Sequence, residues 1–308
     1  MNKLKVCLIG YGYWGPKLAR NFLNSAKFDI SFVIDKNRRN LIKAKNDFPL
    51  SRTINNYRKI NPKNVDLVVI SSPTSTHYSI AKYFLKHTNV LVEKPLAMKI
   101  FEVNDLERIA KKFNKNLFVD YPFIFSGSVN YVKKIIENNK LGKLLEVESY
   151  REQAPIRKDA NVIWDLCVHD ISILKYLLNK NPNKIRSFKY KTTKNSKEDT
   201  AYVHLQYKNN LNVFIKNSWL SPVKIRKIKF KFTKGFLICD ENESIYKIRI
   251  YRKTKKNSLN YKMELPEIDL TEPLLNLVNY IAASIKNKSN KIFQKNFNVE
   301  VSKILQKI

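Results

Sequence analysis

A glycine-rich turn near the start of the chain constrains the fold more than any other feature. The sequence has six glycines, and three of them, Gly10, Gly12 and Gly15, form a G-x-G-x-x-G pattern directly after the apolar run 4–9. These glycines suit a sharp turn from a strand into a helix, a close approach of the backbone to a pyrophosphate, and helix N–H groups that face the anion. We therefore expect a dinucleotide to bind at this turn.

The first 120 residues alternate short β-branched runs with segments of helical periodicity. This alternation predicts βαβ units around a doubly wound parallel sheet, the α/β Rossmann architecture. The predicted strands cover 4–9, 31–34, 67–70, 90–92 and 117–119. The predicted helices cover 14–24, 38–47, 75–86 and 100–113. We expect one dinucleotide-binding domain over residues 1–120.

Residues 121–308 follow a different pattern, in which strands joined by short polar turns dominate. Helices are predicted near 129–138, 166–178 and 272–286, and a first strand at 144–150. Further strands are predicted at 185–192, 200–208, 211–218, 224–232, 236–240 and 244–252. Consecutive strands joined by hairpins form an antiparallel sheet. We therefore expect an α+β domain with a large, mostly antiparallel open sheet.

Asp35 follows the second predicted strand, twenty residues after Gly15. An acid at this position accepts hydrogen bonds from a ribose diol and repels a 2′-phosphate, which favours NAD. Arg38 and Arg39 lie close enough in sequence to offset that charge, so NADP stays open. A role for Asp35 as an ordinary turn residue at a strand end stays open as well.

A second loop predicted to border the cofactor is the Ser-Ser-Pro-Thr segment 71–74, which ends a strand and precedes a helix. Sheets of this kind bind ligands beside the carboxyl ends of the strands, where the strand order reverses. We therefore expect Ser72, Pro73 and Thr74 at the cofactor. His77, in the first turn of the next helix, is predicted either to contact the ligand or to be a capping or solvated residue.

Lys94 ends the predicted strand 90–92 and precedes Pro95. In a chain with 58 lysines and arginines, a single lysine is ordinarily exposed on the surface. A lysine that points into the cofactor crevice can instead donate a hydrogen bond to a substrate oxygen and stabilise an alkoxide. The proline stops the strand and allows a cis peptide bond.

Asp165 and His169 lie four residues apart at the start of an apolar predicted helix, and therefore on one helix face. An imidazole with a pKa of about 6.5 can accept the hydroxyl proton when an alcohol is oxidised by hydride transfer at neutral pH. Asp165 can bind a second hydroxyl or raise the basicity of the histidine. The spacing alone favours a different interpretation, in which Asp165 caps the helix and His169 is a core residue.

Three motifs together resemble the Gfo/Idh/MocA oxidoreductase family. They are Gly10-Tyr-Gly-Tyr-Trp-Gly-Pro-Lys-Leu-Ala-Arg-Asn-Phe22, Glu93-Lys-Pro-Leu-Ala97 and Trp164-Asp-Leu-Cys-Val-His-Asp170. Two further segments, Glu198-Asp-Thr200 and Ser218-Trp-Leu-Ser-Pro222, resemble members that act on nucleotide-linked sugars, such as the UDP-N-acetyl-glucosaminuronate 3-dehydrogenases. The chain departs from close relatives at Cys167-Val168, where Gly-Pro is common, and at Asn161-Val162, where a glycine pair is common. These departures leave the substrate open.

The resemblance implies NAD(P)-dependent hydride transfer at a ring carbon of a sugar or nucleotide-linked sugar, such as a UDP-sugar uronate. It implies Lys94, Asp165 and His169 as catalytic residues, with His169 as the proton acceptor. The cofactor site would also include Tyr13, Trp14 and Glu93, and the substrate site Tyr121 and Trp164. The second domain, 121–308, would serve substrate binding and oligomerisation, in a homodimer or homotetramer. An inositol or free-sugar dehydrogenase and a non-catalytic dinucleotide-binding protein are the alternatives.

The net charge of +32 has two interpretations. Lysine and asparagine are raised together along the whole chain, which indicates a general compositional bias; the other interpretation is a basic cleft for an anionic substrate. Nucleic acid is not expected as a partner, because its binding modules concentrate their charge on one face.

Apolar runs shorter than about 20 residues predict no membrane span. Three scattered cysteines predict neither a disulfide nor a metal site, and a first strand close to Met1 leaves no room for a leader, so we expect a cytoplasmic protein.

Overall fold

The computed structural model describes residues 3–157, 160–192, 194, 197–255, 260–293 and 296–308. The chain forms two compact units. The first comprises Met1–Pro122 and Glu272–Ser302, and the second comprises Phe123–Thr271 and Lys303–Ile308. Sequence alone assigns 272–302 to the second domain, whereas the structure groups this segment with the first unit.

The first unit contains a parallel sheet of six strands within the described residues, in the order β3-β2-β1-β4-β5-β6. Its strands are β1 Leu4–Ile9, β2 Phe28–Ile34, β3 Arg52–Ile54, β4 Leu67–Ile70, β5 Asn89–Glu93 and β6 Leu117–Asp120. Its first four helices are α1 Gly15–Asn24, α2 Arg38–Asp47, α3 His77–Phe84 and α4 Ile100–Lys112. The predicted doubly wound sheet is confirmed. The prediction missed β3, which is three residues long and too short to show a periodicity.

Burial explains why these strands could be recognised. All four residues of β4 are fully buried, as are the last four of β1. Strands of a parallel sheet with helices on both faces carry apolar residues at consecutive positions, because neither face meets water. The strand order reverses between β1 and β4, so the loops that follow these two strands lie at the switch point of the sheet.

The second unit contains an open sheet of eight strands among the residues described, in the order β14-β13-β12-β11-β7-β10-β9-β8. These strands are β7 Leu144–Glu152, β8 Lys184–Tyr190, β9 Thr200–Gln206, β10 Asn212–Ser218, β11 Ile225–Phe232, β12 Gly235–Asp240, β13 Ile248–Lys253 and β14 Tyr261–Glu264. Only the β7–β10 pair is parallel in this described part, so the predicted mostly antiparallel sheet is confirmed. The short edge strand β14 was not predicted.

The helices of the second unit are α5 Gly127–Glu137 and α6 Val168–Leu178, and α6 is preceded by a π-helical turn at Ile163–Cys167. Both helices were predicted, but the π-helical turn was not. Turns of this kind are rare and occur often at functional sites.

The segment after the second unit returns to the first unit as α7, Pro273–Lys286. The apolar face of α7 is buried, and α7 packs against α1. Glu272, just before α7, accepts hydrogen bonds from Arg20 at 2.6 Å and from Asn21 at 3.1 Å, both on α1. The helical period of α7 predicts an apolar face but does not say which surface that face covers. The chain ends in α8, Phe297–Lys307, which was not predicted.

Among the helices described, none combines the length and the apolarity needed to cross a bilayer.

Candidate active site

The glycine-rich turn lies between β1 and α1, and two of its glycines are required by close backbone contacts. Gly10 has a φ of +97°, and a Cβ there would lie 2.6 Å from the backbone of Ser71 and Ser72. A Cβ at Gly15 would lie 2.2 Å from the carbonyl oxygen of Gly10. A Cβ at Gly12 would meet no atom within 4 Å. Gly10 and Gly15 therefore close the turn, while the exposed Gly12 leaves its outer side open to a ligand.

Asp35 directly follows β2, and its carboxylate accepts three hydrogen bonds within its own unit. Oδ2 accepts the N–H of Tyr11 at 2.7 Å and the side-chain amide of Asn40 at 3.0 Å. Oδ1 accepts the N–H of Asn37 at 2.7 Å. Asp35 thus ties the glycine-rich turn to the start of α2. A carboxylate offers about four acceptor positions, so this role as a turn residue leaves room for the predicted ribose contact.

The loop after β4 is bound directly to the glycine-rich turn. The hydroxyl of Ser71 donates to the carbonyl of Gly10 at 2.7 Å. The hydroxyls of Ser72 and Thr76 lie 2.7 Å apart, while Pro73 is exposed and Thr74 is buried. The structure therefore brings the two loops predicted to border the cofactor together at the switch point of the sheet.

His77 begins α3 and is buried, with an exposed fraction of 1%. Its Nε2 lies 2.8 Å from the carbonyl oxygen of Ser72, and its Nδ1 lies 2.9 Å from that of Pro95. The imidazole therefore bridges the loop after β4 and the loop after β5. This position does not support the predicted contact to the cofactor or the alternative of a solvated residue; it makes His77 a link between two loops of the site.

Lys94 directly follows β5, at the same edge of the sheet as the glycine-rich turn and the Ser71–Thr74 loop. Its backbone N–H donates to Oε2 of Glu93 at 3.1 Å. The Lys94–Pro95 peptide bond is cis. Lys94 itself is half-buried, which differs from the exposed position that composition alone favours for a lysine.

A buried carboxyl group of β6 faces this segment. Asp120 is paired in register with Glu93 on the neighbouring strand, and its Oδ2 accepts the indole N–H of Trp14 at 2.8 Å. Burial raises the pKa of both carboxyl groups, and the charge of Asp120 raises that of Glu93 further, whereas the Lys94 ammonium lowers both. Trp14, predicted at the cofactor, is thereby linked to the strand end that carries Lys94.

Two other predicted site residues differ sharply in exposure. Tyr13 is 81% exposed, and the Lys17 ammonium lies 3.7 Å from the centre of its ring. Tyr121 is 1% exposed and packs against the rings of Phe293 and Phe297, with centroids 6.4 and 6.0 Å away. This corrects the prediction for Tyr121: a ring at the centre of an aromatic cluster is a core residue and is not placed to contact a substrate.

Asp165 lies inside the π-helical turn of the second unit and is buried. Its Oδ2 accepts the indole N–H of Trp219 at 3.0 Å, and its Oδ1 lies 3.5 Å from Nη1 of Arg157. The N–H of Trp164 donates instead to Oδ1 of Asn161, at 3.1 Å. The side chain of Asn161 therefore accepts the backbone N–H at the start of this turn. Asp165 does not serve as the helix cap that its position in the sequence allowed.

His169 is on the first turn of α6 and is half-buried. Its ring meets the ring of Phe123 edge to face, with centroids 5.1 Å apart. The same Phe123 ring also meets a cation, because the guanidinium of Arg151 lies 4.4 Å from its centre. His169 is thus partly accessible, unlike the core residue that its apolar helix also allowed.

The residue next to His169 anchors α6 to the sheet. Asp170 is fully buried and accepts hydrogen bonds from Ser149 at 2.8 Å, Arg151 at 3.3 Å and Asn217 at 2.8 Å. Arg151 is also buried, so this is a buried ion pair with neutral donors around it. These contacts fix the rotation of α6 and hence the direction in which His169 points.

Sequence reasoning missed Asp120, Asp170 and Arg151 as parts of the site. Asp120 carried a usable signal, because it follows a predicted parallel strand as Asp35 does. Asp170 lies within the recognised Trp164–Asp170 motif, but Arg151 ends a strand with no motif. Its partner Asp170 lies on α6, so this ion pair could be identified only from the tertiary structure.

Comparison with known families assigns both parts of the chain. The model described as "Oxidoreductase family, NAD-binding Rossmann fold" matches residues 4–121. The model described as "GFO/IDH/MocA C-terminal domain" matches residues 129–238. The first unit is therefore an NAD-binding Rossmann domain, and its glycine-rich turn, open at Gly12, fits a dinucleotide.

Named relatives share between a quarter and a third of the aligned residues. Myo-inositol 2-dehydrogenase of Thermotoga maritima is 27% identical over 172 residues, which are 52% of this chain and 51% of that protein. Glucose-6-phosphate 3-dehydrogenase of Bacillus subtilis is 26% identical over 214 residues, 59% of each chain. The chain spans roughly half the length of the curated relatives it matches, from 43% to 59% for these two and an uncharacterised oxidoreductase of Escherichia coli.

Solved structures resemble the whole chain. UDP-N-acetylglucosamine 3-dehydrogenase of Acidithiobacillus ferrooxidans has a TM-score of 0.87 at 18% identity, covering 100% of this chain and 97% of that one. Levoglucosan dehydrogenase in complex with NADH and levoglucosan has a TM-score of 0.89 at 14% identity, covering 100% and 96%. At these identities the likeness establishes the fold.

Proposed function

Since the chain belongs to the Gfo/Idh/MocA oxidoreductase family, we propose that it is an NAD-dependent dehydrogenase that acts at a ring carbon of a sugar or nucleotide-linked sugar. The observation that carries the proposal is the position of Lys94. It follows β5 at the sheet edge where the glycine-rich turn follows β1 and the Ser71–Thr74 loop follows β4. Open α/β sheets bind their ligands at this edge.

The cofactor assignment rests on the glycine-rich turn and Asp35. Gly10 and Gly15 shape the turn, Gly12 leaves its outer side open, and Asp35 presents an acid at the end of β2. This acid favours a free ribose 2′-hydroxyl and therefore NAD. Arg38 and Arg39 are exposed in the first turn of α2, so NADP is the alternative to be tested. When bound, NAD supplies the acceptor for a hydride.

The chemistry is assigned to three side chains. Oxidation of a secondary alcohol breaks its O–H and C–H bonds, and the hydroxyl proton needs an acceptor as the hydride leaves. We assign His169 as this acceptor and Lys94 as the hydrogen-bond donor to the substrate oxygen. Asp165, held by Trp219 and Arg157, is assigned to a second substrate hydroxyl. Trp164, half-buried in the π-helical turn, is assigned to the substrate site with it.

The proposed substrate is a nucleotide-linked sugar of the UDP-sugar uronate type. The resemblance of Glu198–Thr200 and Ser218–Pro222 supports this choice. A basic cleft, one of the two interpretations of the net charge of +32, would suit an anionic substrate. The names of the relatives support a second class, inositols and free or phosphorylated sugars. Homo-oligomerisation and a cytoplasmic location remain predictions.

The test is turnover with a panel of substrates. Purified protein with NAD or NADP is incubated with UDP-sugar uronates, UDP-N-acetyl sugars, sugar phosphates, free sugars and inositols, and absorbance of the reduced cofactor is followed. Lys94→Ala and His169→Ala should each lower kcat by at least about 100-fold, as expected for loss of a transition-state contact or a general base. The dissociation constant for NAD, measured by calorimetry, should change by less than about threefold, or about 0.6 kcal/mol.

The matched control is Lys86→Ala, which removes an exposed lysine of the same unit. It should keep wild-type turnover. Binding of NAD without turnover of any compound in the panel would favour the non-catalytic alternative. Equal activity of the Lys94→Ala and Lys86→Ala variants would contradict the assignment of Lys94.

A further inference from the structure

The ends of β5 and β6 place two carboxyl groups side by side. Glu93 and Asp120 are paired in register on these neighbouring parallel strands. Oε1 of Glu93 and Oδ1 of Asp120 are both shielded from solvent, and within the described residues neither has a hydrogen-bond donor. The two side chains lie within hydrogen-bonding reach of each other. Two neighbouring carboxyl groups therefore each have a buried oxygen without a donor, and one shared hydrogen would join the two groups.

Electrostatics decides how this contact is stabilised. Two adjacent ionised carboxylates in a buried site repel each other, whereas one shared proton converts the repulsion into a hydrogen bond. The charged group that acts on both is the Lys94 ammonium. The one positive charge of Lys94 balances the Glu93–Asp120 pair when the pair holds one proton and carries one negative charge. It does not balance the pair when both carboxyl groups are ionised.

The other contacts of the pair identify which acid holds the proton. Asp120 accepts the indole N–H of Trp14 through Oδ2, which suits a carboxylate. In the part of the chain that the structure describes, Oε2 of Glu93 accepts the backbone N–H of Lys94. Burial and the charge of Asp120 raise the pKa of Glu93 well above its usual value. The arrangement is satisfied when the carboxylic acid of Glu93 donates to Asp120.

We propose that Glu93 and Asp120 form a carboxyl pair with one proton, which positions Lys94 and ties it to the glycine-rich turn through Trp14. The connection runs from the indole of Trp14 to Asp120, from Asp120 to Glu93, and from Glu93 to the backbone of Lys94. It joins the cofactor turn to the proposed reactive lysine within the first unit. Glu93 and Asp120 are positioning residues, and the proposal rests on the proposed function only in the role given to Lys94.

The proton is tested by infrared spectroscopy, which needs neither cofactor nor substrate. At about pH 7.5 ordinary carboxyl groups are ionised, so a carbonyl band of a protonated acid reports a group with a raised pKa. Glu107 is the main competitor, because burial raises its pKa to about 7. We therefore compare Glu107→Gln with the double variant Glu93→Gln, Glu107→Gln. The band should persist in the first and disappear in the second.

The wild-type protein provides the same test without a substitution. At about pH 8.5 Glu107 is ionised, and the remaining acid band should shift on exchange into heavy water. A spectrum without an acid band in the wild type at this pH and in Glu107→Gln at about pH 7.5 would overturn the proposal. So would a band that survives in the double variant.

The positioning role is tested by an asymmetry between two conservative variants. Glutamine at position 93 still offers an N–H to Asp120 and an oxygen to the Lys94 N–H. Asparagine at position 120 removes the charge that accepts from both Trp14 and Glu93. Asp120→Asn should therefore weaken NAD binding by about tenfold, as expected for loss of a charged hydrogen-bond partner, and Glu93→Gln several-fold less.

NAD binding is followed by quenching of tryptophan fluorescence over a range of pH, and Glu107→Gln serves as the control with wild-type affinity. In Glu93→Gln the pH dependence contributed by the pair should be lost. Equal weakening by the two variants, with the wild-type pH profile retained in both, would show a merely structural role. If the wild type binds no NAD while the acid band is present, the proposed function fails and the carboxyl pair stands.

Discussion

The two units differ in how their candidate site residues are held. In the first unit, Gly10, Gly15 and Lys94 are fixed by the backbone of turns at strand ends, which recur wherever such a sheet forms. In the second unit, Asp165 and His169 are held by side chains from distant segments of the chain. The site residues of the first unit can therefore be recognised from local sequence motifs. Those of the second unit depend on the pairing of strands.

The pairing of β7 with β10 shows what this dependence means. Asn217 on β10 is directly opposite Arg151 on β7, and both side chains bind Asp170. A shift of either strand by one residue would turn its side chain to the other face of the sheet. Asp170 would then lose its partners, and α6, which carries His169, would lose its anchor.

The largest effect that tests this comparison is expected from Asp170→Asn. This variant leaves the guanidinium of Arg151 buried without its counter-charge, so the free energy of unfolding should fall by about 3–5 kcal/mol. Urea denaturation followed by circular dichroism measures the change. Turnover should fall as well, because α6 positions His169.

The matched control in the same unit is Glu243→Gln, which removes a surface ion pair with Arg249. Its effect should stay below about 1 kcal/mol. A loss of similar size in the two variants would show that the buried pair does not anchor α6, and the contrast between the units would lose its main support.

A second test compares two glycines of the same turn. In Gly15→Ala the new Cβ would collide with the Gly10 carbonyl, so stability should fall by about 1–3 kcal/mol, as for other overpacked sites. In Gly12→Ala the Cβ meets no protein atom, and thermal stability should stay unchanged. NAD affinity should nevertheless fall in Gly12→Ala, because the backbone must approach the pyrophosphate there.

Thermal unfolding and calorimetric NAD titration separate these two effects. If Gly12→Ala binds NAD with wild-type affinity, the outer side of the turn does not face the cofactor. If Gly15→Ala is as stable as the wild type, the turn can move to accommodate a Cβ at position 15. The close contacts of Gly15 would then not require a glycine there.

Sequence predicted the fold well because both sheets leave strong local patterns. Continuous apolar runs marked β1 and β4, and alternating runs marked most of the open sheet. Short or edge strands such as β3 and β14 left too few residues for a pattern. The family matches confirm the NAD-binding Rossmann domain, which the glycine spacing had predicted.

The candidate site was predictable only in part. The positions of Gly10, Asp35 and Lys94 follow from strand ends, whereas the burial of His77 and Tyr121 follows from packing that no motif records. The assignment of α7 to the first unit was also missed. The sequence of an amphipathic helix indicates which of its faces is apolar. It does not indicate which surface of the protein covers that face, because this depends on the tertiary structure.

A third test uses pH and concerns a side-chain contact between distant segments of the first unit. It sharpens the comparison of the two units, because contacts of this kind hold the candidate site residues of the second unit. Glu107 on α4 accepts a hydrogen bond from Asn298 at 2.7 Å, and burial raises its pKa from 4.5 to about 7. The folded state therefore binds more protons than the unfolded state between about pH 4.5 and 7. Stability should fall as pH rises through this window, by about 3 kcal/mol at most, and stay level above it.

Glu107→Gln should remove this contribution. The variant should be more stable than the wild type above about pH 7, and the difference should shrink toward about pH 4.5. Urea denaturation at several pH values measures both curves. Parallel curves for the two proteins would show that Glu107 is solvated in the folded state.

The smallest effect is expected at the contact that joins α7 to α1. Glu272→Gln removes the charge paired with Arg20 but keeps an oxygen that can accept from the buried Asn21. Because both partners of the ion pair are about half exposed, the loss should stay below about 1 kcal/mol. Glu272→Ala also removes the acceptor for Asn21 and should cost about 1 kcal/mol more. Equal losses in Glu272→Gln and Glu272→Ala would show that charge, and not the buried amide contact, holds α7 on the first unit.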